Sequence, residues 1–186
     1  MNIIIKCTYI IMENTIKSLI GKSLGNDEIL KLIGNKANLI SYVDVHKYKN
    51  LDQLLGTFGA CVILYEMKRN YGHWCCIFKL DDNTIEFFDP YALMPDYELE
   101  FIDDEYKDKS KQNYPYLTRL MVLSPYILTY NHFPFQEYKK GINTCGRWIS
   151  LRLMLRHLPL DEFIKLFDKK KKHSKDFYAT LLTYFV

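Results

Sequence analysis

The 186-residue sequence lacks the features that mark several whole classes of protein. No window approaches the roughly 18 uninterrupted apolar residues that a membrane-spanning helix needs, so none is expected. The N-terminal stretch Ile3-Ile4-Ile5-Lys6-Cys7-Thr8-Tyr9-Ile10-Ile11 has no basic leader and no small-residue cleavage site. Lys6 and Glu13 also interrupt it, which argues against a signal peptide. Cysteine is present without the spacing of a framework: five residues, an odd number, four of them inside apolar runs. That count excludes a disulfide scaffold and points to a reducing, intracellular compartment. No Cys-x-x-Cys pair exists, and Cys75 and Cys76, adjacent in a strand, face opposite ways, so no metal is expected. The net charge of +3 is too small to imply nucleic-acid binding by itself. The one basic block, Lys169 to Lys172 followed by His173 and Lys175, reads as a solvated face between two helices. No repeat, low-complexity tract or linker divides the chain, so residues 1–186 are expected to form a single, monomeric domain.

Nearly half the residues are apolar, and the fifteen Tyr and eleven Phe predict a core packed with rings. Residues 13–34 read as two helices, the first ending at Leu19-Ile20 and the second starting from Asn26-Asp27-Glu28. Tyr42 to Asn50 is polar without periodicity. Ala60 to Tyr65 is a continuous apolar run of the kind found in central strands. Trp74 to Leu80, the turn Asp81-Asp82-Asn83 and Thr84 to Phe88 form a hairpin. Residues 90–113 read as a polar connection with a short helix after Pro95. A helix over 116–123 and a strand over 126–130 follow, split by Ser124-Pro125. From Cys145 a helix carries Trp148, Ile149, Leu151, Leu153, Met154 and Leu155 inward, with Arg147, Arg152 and Arg156 on the wetter side. Helices over 160–168 and 175–184 close the chain. The pattern predicts an α+β domain: a small, mostly antiparallel central sheet packed against the helix that begins at Cys145.

Three positions carry candidate chemistry. If the hairpin turn centres on Asp82, Cys75 lies opposite Asp89 and His73 sits diagonally across on the same face, within reach of the carboxylate. An even-numbered loop would separate them. Cys145 stands where Gly141-Ile142-Asn143-Thr144 passes into a helix, with Asn143 or Thr144 as the cap. Free N–H groups and the helix dipole favour thiolate there, and Gly146 would let a substrate backbone approach. Gln136, nine residues before Cys145, offers a side-chain amide to an oxyanion. His132 is a rival base with no obvious carboxylate partner.

The order Gly72-His73-Trp74, Phe88-Asp89, Gln136 and Cys145-Gly146 resembles the clan CE cysteine peptidases, the group of the adenovirus endopeptidase (adenain) and the SUMO- and ubiquitin-like-protein-specific proteases. The resemblance covers about residues 55–160 and implies an adenain-like fold. Two departures from the pattern stand out: Thr144 precedes the cysteine where SUMO proteases usually have Asp, and the span from Gln136 to Cys145 is slightly long. In that family Cys145 would be the nucleophile, His73 the base, Asp89 its orienting carboxylate and Gln136 part of the oxyanion hole. Trp74 would wall a narrow cleft that favours glycine, with Gly146 beside it. The implied activity is a viral maturation endopeptidase that cuts structural precursors after small residues and works without a cofactor in host cytoplasm, nucleus or virion. Two other activities fit the same residues: a deubiquitinase or ubiquitin-like deconjugase, and an effector-type acetyltransferase. A DNA cofactor, as adenain uses, stays open.

Overall fold

A computed structural model describes residues 3–168 and 172–185. Its five strands form one sheet in the order β1 (Asn38–Ser41), β2 (Ala60–Lys68), β3 (Tyr71–Lys79), β4 (Thr84–Phe88) and β5 (Ile127–Tyr130). Strands β2, β3 and β4 are antiparallel neighbours, whereas β1 runs parallel to β2 and β5 parallel to β4. The sheet is therefore mixed, which corrects the expectation of a mostly antiparallel one. Tight turns can join only antiparallel strands, and β1 and β5 are reached instead through long connections that deliver them in parallel.

The helices are α1 (Ile3–Leu19), α2 (Asn26–Leu32), α3 (Leu51–Leu55), α4 (Asp104–Ser110), α5 (Tyr116–Val122), α6 (Cys145–Met154), α7 (Leu160–Asp168) and α8 (Lys175–Tyr184). Most fall where sequence pattern places them. The aperiodic stretch after residue 41 is a 3-10 turn over Tyr42–Lys47, followed by α3, whose first turn is capped by Asn50 accepting from Gln53 N at 2.9 Å. Among the described residues no helix is long and apolar enough to cross a membrane. The expectation for the basic block falls largely on residues 169–171, outside the described residues, as does the side chain of Cys7.

Two cores sandwich the sheet. On one face Val62, Leu64, Trp74, Cys76, Phe78 and Phe88 pack against Trp148, Ile149 and Leu151 of α6 and Phe163 of α7. On the other, Ile63, Tyr65, Cys75, Ile77, Ile85 and Phe87 meet Tyr42, Leu51, Leu54 and Leu117. Cys75 and Cys76 do face opposite ways. Strand β2 is covered on both faces from Ala60 to Glu66, which is why its first six residues are apolar without alternation.

Three expectations about α6 are overturned. Met154, expected inward, is exposed, and Arg147, expected on the wet side, is buried with Nη1 donating to Thr183 Oγ1 at 2.9 Å. Arg152, also placed on the wet side by helical periodicity, is fully buried. It forms a two-pronged ion pair with Glu86 of β4, Nε to Oε1 and Nη2 to Oε2, each at 2.7 Å. Two more of its hydrogens go to the carbonyls of Leu155 (3.0 Å) and Leu158 (3.1 Å) just past the end of α6. The guanidinium also lies 5.2 Å from the Phe78 ring centroid and 5.1 Å from that of Phe163. A buried cation is tolerable only when paired and hydrogen-bonded, and here both conditions hold. Arg152→Met should lower the unfolding free energy by about 3–5 kcal/mol, because it strands the Glu86 charge. The double variant Arg152→Met, Glu86→Leu should recover most of that loss in urea denaturation.

Candidate active site

The site forms where β3 begins, β4 ends and α6 starts. The β3–β4 pairs run from Cys76–Phe88 to Lys79–Ile85. Leu80 N donates to Thr84 O at 2.9 Å, which leaves Asp81-Asp82-Asn83 as an odd-numbered loop. That register carries His73, Cys75 and Asp89 to one face, and their side chains meet. His73 Nε2 lies 3.3 Å from each Asp89 carboxylate oxygen. Cys75 Sγ donates to Asp89 Oδ2 at 3.0 Å. All three residues are buried.

Several groups that sequence reasoning missed hold this cluster in place. Asn131, just after β5, clamps the Asp89 backbone from both sides. Asp89 N donates to Asn131 Oδ1 at 2.9 Å, and Asn131 Nδ2 donates to Asp89 O at 2.7 Å. Tyr91 N donates to Asp89 Oδ1 at 2.6 Å, and the Tyr91 ring stacks on His73 with centroids 4.7 Å apart. Glu98 brings a second carboxylate, with Oε1 at 3.7 Å from His73 Nε2. Tyr91 follows Asp89 by two residues and was within reach of a register argument, whereas Glu98 comes from a connection with no readable pattern. Ahead of His73, a bulge in β2 between Glu66 and Lys68 brings backbone against Gly72. A Cβ there would lie 1.8 Å from Tyr65 O, so only glycine fits.

The electrostatics follow from burial and crowding. Burial works to lower the His73 pKa. The opposing fields of Asp89 first, then Cys75 and Glu98, outweigh it and hold the imidazole well above its ordinary 6.5. Burial, reinforced by Asp89, pushes the Cys75 thiol up. Burial also raises Glu98, and it lifts the Tyr91 phenol to about 12.

Cys145 is the first residue of α6 and is 7% exposed. Neither predicted cap works as expected. Asn143 Nδ2 donates instead to Gly21 O at 2.8 Å, and Thr144 Oγ1 donates to Asp176 Oδ1. The N–H groups of Cys145 and Gly146 donate to no described residue, as expected for the orphan donors of an uncapped first turn. Asp176, at the start of α8, serves three segments at once. Besides Thr144 it accepts from Trp148 Nε1 at 2.9 Å and, through Oδ2, from Glu137 N at 3.0 Å. It thereby ties the loop before Cys145, the body of α6 and the Gln136 segment together. Nothing in its local sequence signals that role.

His73 and Cys145 line a common cleft of about 860 Å³, together with Tyr91, Glu98, Gln136 and Asp176. No hydrogen bond joins the histidine to the thiol; with Nε2 turned to Asp89, Nδ1 is the nitrogen left for it. Gln136 is buried beside them, its N–H held by Pro90 O at 3.0 Å. Its Nε2 donates to Tyr91 Oη at 2.7 Å and to Ile142 O at 3.2 Å, while Oε1 is buried without a partner. In that orientation neither amide hydrogen is free for an oxyanion, and a turn of the amide would release one. Trp74 and Gly146, expected at the cleft, sit behind it. Trp74 is in the core, donating to Leu24 O at 3.2 Å, and a Cβ on Gly146 would lie 3.1 Å from the Leu24 side chain and 3.2 Å from that of Ile29. His132 is exposed and does not line the cleft.

No model of a known protein family matches the chain. A curated relative does: the protein named "Uncharacterized protein V9" of Sputnik virophage is 46% identical over 164 residues, 87% of this chain and 94% of its own length. The chain belongs to the V9 family. The V9 relative spans nearly the whole of the fold described above, and its source is viral, in keeping with the expectation of a viral protein.

Two measurements test how this site is held. Asp176→Ala removes one shared acceptor from two buried donors and a half-buried one and should cost about 3 kcal/mol in chemical denaturation. The His73 pKa is raised on folding, so its charged form stabilises the native state fully below about pH 6.5. That contribution is lost as pH rises through the higher native value, and the raised pKa of Glu98 acts with the same sign. The stability difference between wild type and His73→Gln should therefore shrink steadily from pH 6.5 upward.

Proposed function

We propose that the chain is a cysteine endopeptidase with Cys145 as nucleophile, His73 as base and Asp89 as the carboxylate that orients it. The observation that carries this reading is the shared cleft: a histidine paired with a buried carboxylate and a cysteine opening a helix line one cavity, though they come from segments far apart in the chain. The clan CE resemblance of the four positions adds to it, as does a five-stranded sheet with the cysteine helix packed on one face.

The chemistry follows from the local fields. Cys145 gives its proton to His73 Nδ1, and Asp89 stabilises the imidazolium through Nε2. The acidic surroundings that raise the His73 pKa favour this charge-separated pair. The thiolate attacks a scissile carbonyl, and the free N–H groups of Cys145 and Gly146 face the developing oxyanion, with a turned Gln136 amide as a further donor. His73 returns its proton to the leaving amine, and water then hydrolyses the thioester. The viral source of the V9 relative favours maturation of virion precursors over deconjugation of host proteins, with cuts after small residues such as glycine.

The test pairs labelling with cleavage. A peptide electrophile ending in glycine should modify wild type at Cys145 and leave Cys145→Ala untouched. Cys145→Ala and His73→Ala should each lose at least about 10³-fold in precursor cleavage. Wild-type rates in either variant would refute the assignment.

A further inference from the structure

Acidic groups outnumber basic ones around His73. Within one buried cluster a single imidazole faces the Asp89 carboxylate, the Cys75 thiol and the Glu98 carboxylate. The donor atoms of His73, Cys75 and Asp89 all lie within 4.8 Å of one another. Two of the spacings are informative. An imidazolium–carboxylate hydrogen bond is normally about 2.7–2.9 Å long. His73 Nε2 is instead 3.3 Å from both Asp89 oxygens, with its hydrogen bond to Oδ1. Neighbouring ligands on a tetrahedral zinc, with bonds of about 2.0–2.3 Å, stand about 3.3–3.6 Å apart. Sγ to Oδ2, at 3.0 Å, needs to open by only a few tenths of an ångström.

A second observation points the same way. Glu98 is buried, makes no hydrogen bond among the described residues, and has the His73 ring as its nearest cation. A carboxyl group in that state takes up a proton or is held ionised by a positive charge nearby.

We propose that His73 Nε2, Cys75 Sγ and the Asp89 carboxylate form a binding site for a divalent transition-metal ion of the zinc class, with Glu98 as its outer carboxylate. One nitrogen, one sulfur and one oxygen ligand suit zinc or cobalt and discriminate against magnesium and calcium, which take oxygen alone. On binding, Cys75 coordinates as thiolate and His73 as neutral imidazole. Each gives one proton to solvent, so two protons leave as the dication enters, and nothing is oxidised or reduced. Three protein ligands leave a fourth position for water, on the cleft side that His73 and Glu98 line. Sequence inspection passed over this set because it sought cysteine pairs, whereas the ligands are a His-x-Cys on one strand and an Asp on the next.

The proposal does not rest on the peptidase reading, and its test is spectroscopic. Metal-free, full-length protein is titrated with Co²⁺ under reducing conditions. One equivalent should produce thiolate-to-cobalt charge-transfer absorption in the near ultraviolet and the intense visible bands of tetrahedral cobalt, both bleached by Zn²⁺. Cys75→Ser should abolish the charge-transfer band, and Cys145→Ser should keep it. Glu98→Gln should weaken Co²⁺ binding about 10- to 100-fold, the usual effect of losing an outer-shell partner. No band in wild type, or a band that survives Cys75→Ser or disappears with Cys145→Ser, overturns the proposal. Should Cys75→Ser lose its fold by circular dichroism, the wild-type, Cys145→Ser and Glu98→Gln titrations decide: an intact band with unchanged affinity in Glu98→Gln then counts against the site.

Discussion

The register of the β3–β4 hairpin is the constraint on which the site depends. Pairs from Cys76–Phe88 to Lys79–Ile85 fix it, and the three-residue loop sets its parity. Side chains alternate along a strand, so a slip of one residue would send Asp89 to the face of α6 and leave His73 and Cys75 without their carboxylate. The same slip would turn Glu86 away from Arg152 and place a charge among Ile63, Tyr65 and Ile77. Each face of the sheet therefore enforces the register for its own reason: one holds a buried ion pair, the other a buried His–Cys–Asp cluster. A wrong pairing strands charges on both sides, at several kcal/mol for each.

The same ion pair also positions the second half of the site. Cys145 belongs to a helix packed on the opposite face of the sheet from His73, so the two can share a cleft only at the sheet's end. Arg152, seven residues on, anchors the far end of α6 to β4, and Asp176 anchors the near end to α8. Between them the two anchors hold the helix against sliding or rotating on the sheet, and its first residue lines the same cleft as His73. Buried polar networks of this kind are costly when incomplete and directional when complete, which suits a part whose task is placement. The close approach of Gly146 to Leu24 and Ile29 serves the same end, since a side chain there would lever α6 away from α2.

What the sequence makes legible follows from the range of the forces involved. Strand and helix patterns arise from local periodicity, so β2, the hairpin, α6, α7 and α8 were readable, as was the proximity of His73 to Asp89 once the loop was taken as odd. The sheet's mixed character was not, because the parallel arrival of β1 and β5 is decided by crossovers whose path no local pattern records. Arg152 was misplaced because its burial depends on a partner 66 residues away. Asp176 and Asn131 act entirely through distant segments and carry no mark near themselves. Trp74 was assigned to the cleft through the resemblance, and Gly146 through its place beside Cys145 at the loop–helix junction. Their packing on Leu24 belongs to the loop between α1 and α2, which the resemblance does not cover.

The two proposed uses of the cluster are linked through one atom. As a catalytic base, His73 needs Nε2 hydrogen-bonded to Asp89 so that Nδ1 can exchange a proton with Cys145; as a ligand, it gives Nε2 to the metal and Asp89 turns its oxygens to the same ion. Both states cannot coexist on one imidazole. A metal-bound His73 keeps Nδ1–H but cannot take a second proton, because the Nε2 lone pair is held in the metal bond and Nδ1 already carries its hydrogen. Cys145 then loses its base while remaining in place, and the cleft keeps its shape. Cys75 makes this exclusion possible: in a plain triad its position needs only a small apolar side chain. A buried thiol that hydrogen-bonds the orienting carboxylate is poised to become a ligand as soon as its proton leaves.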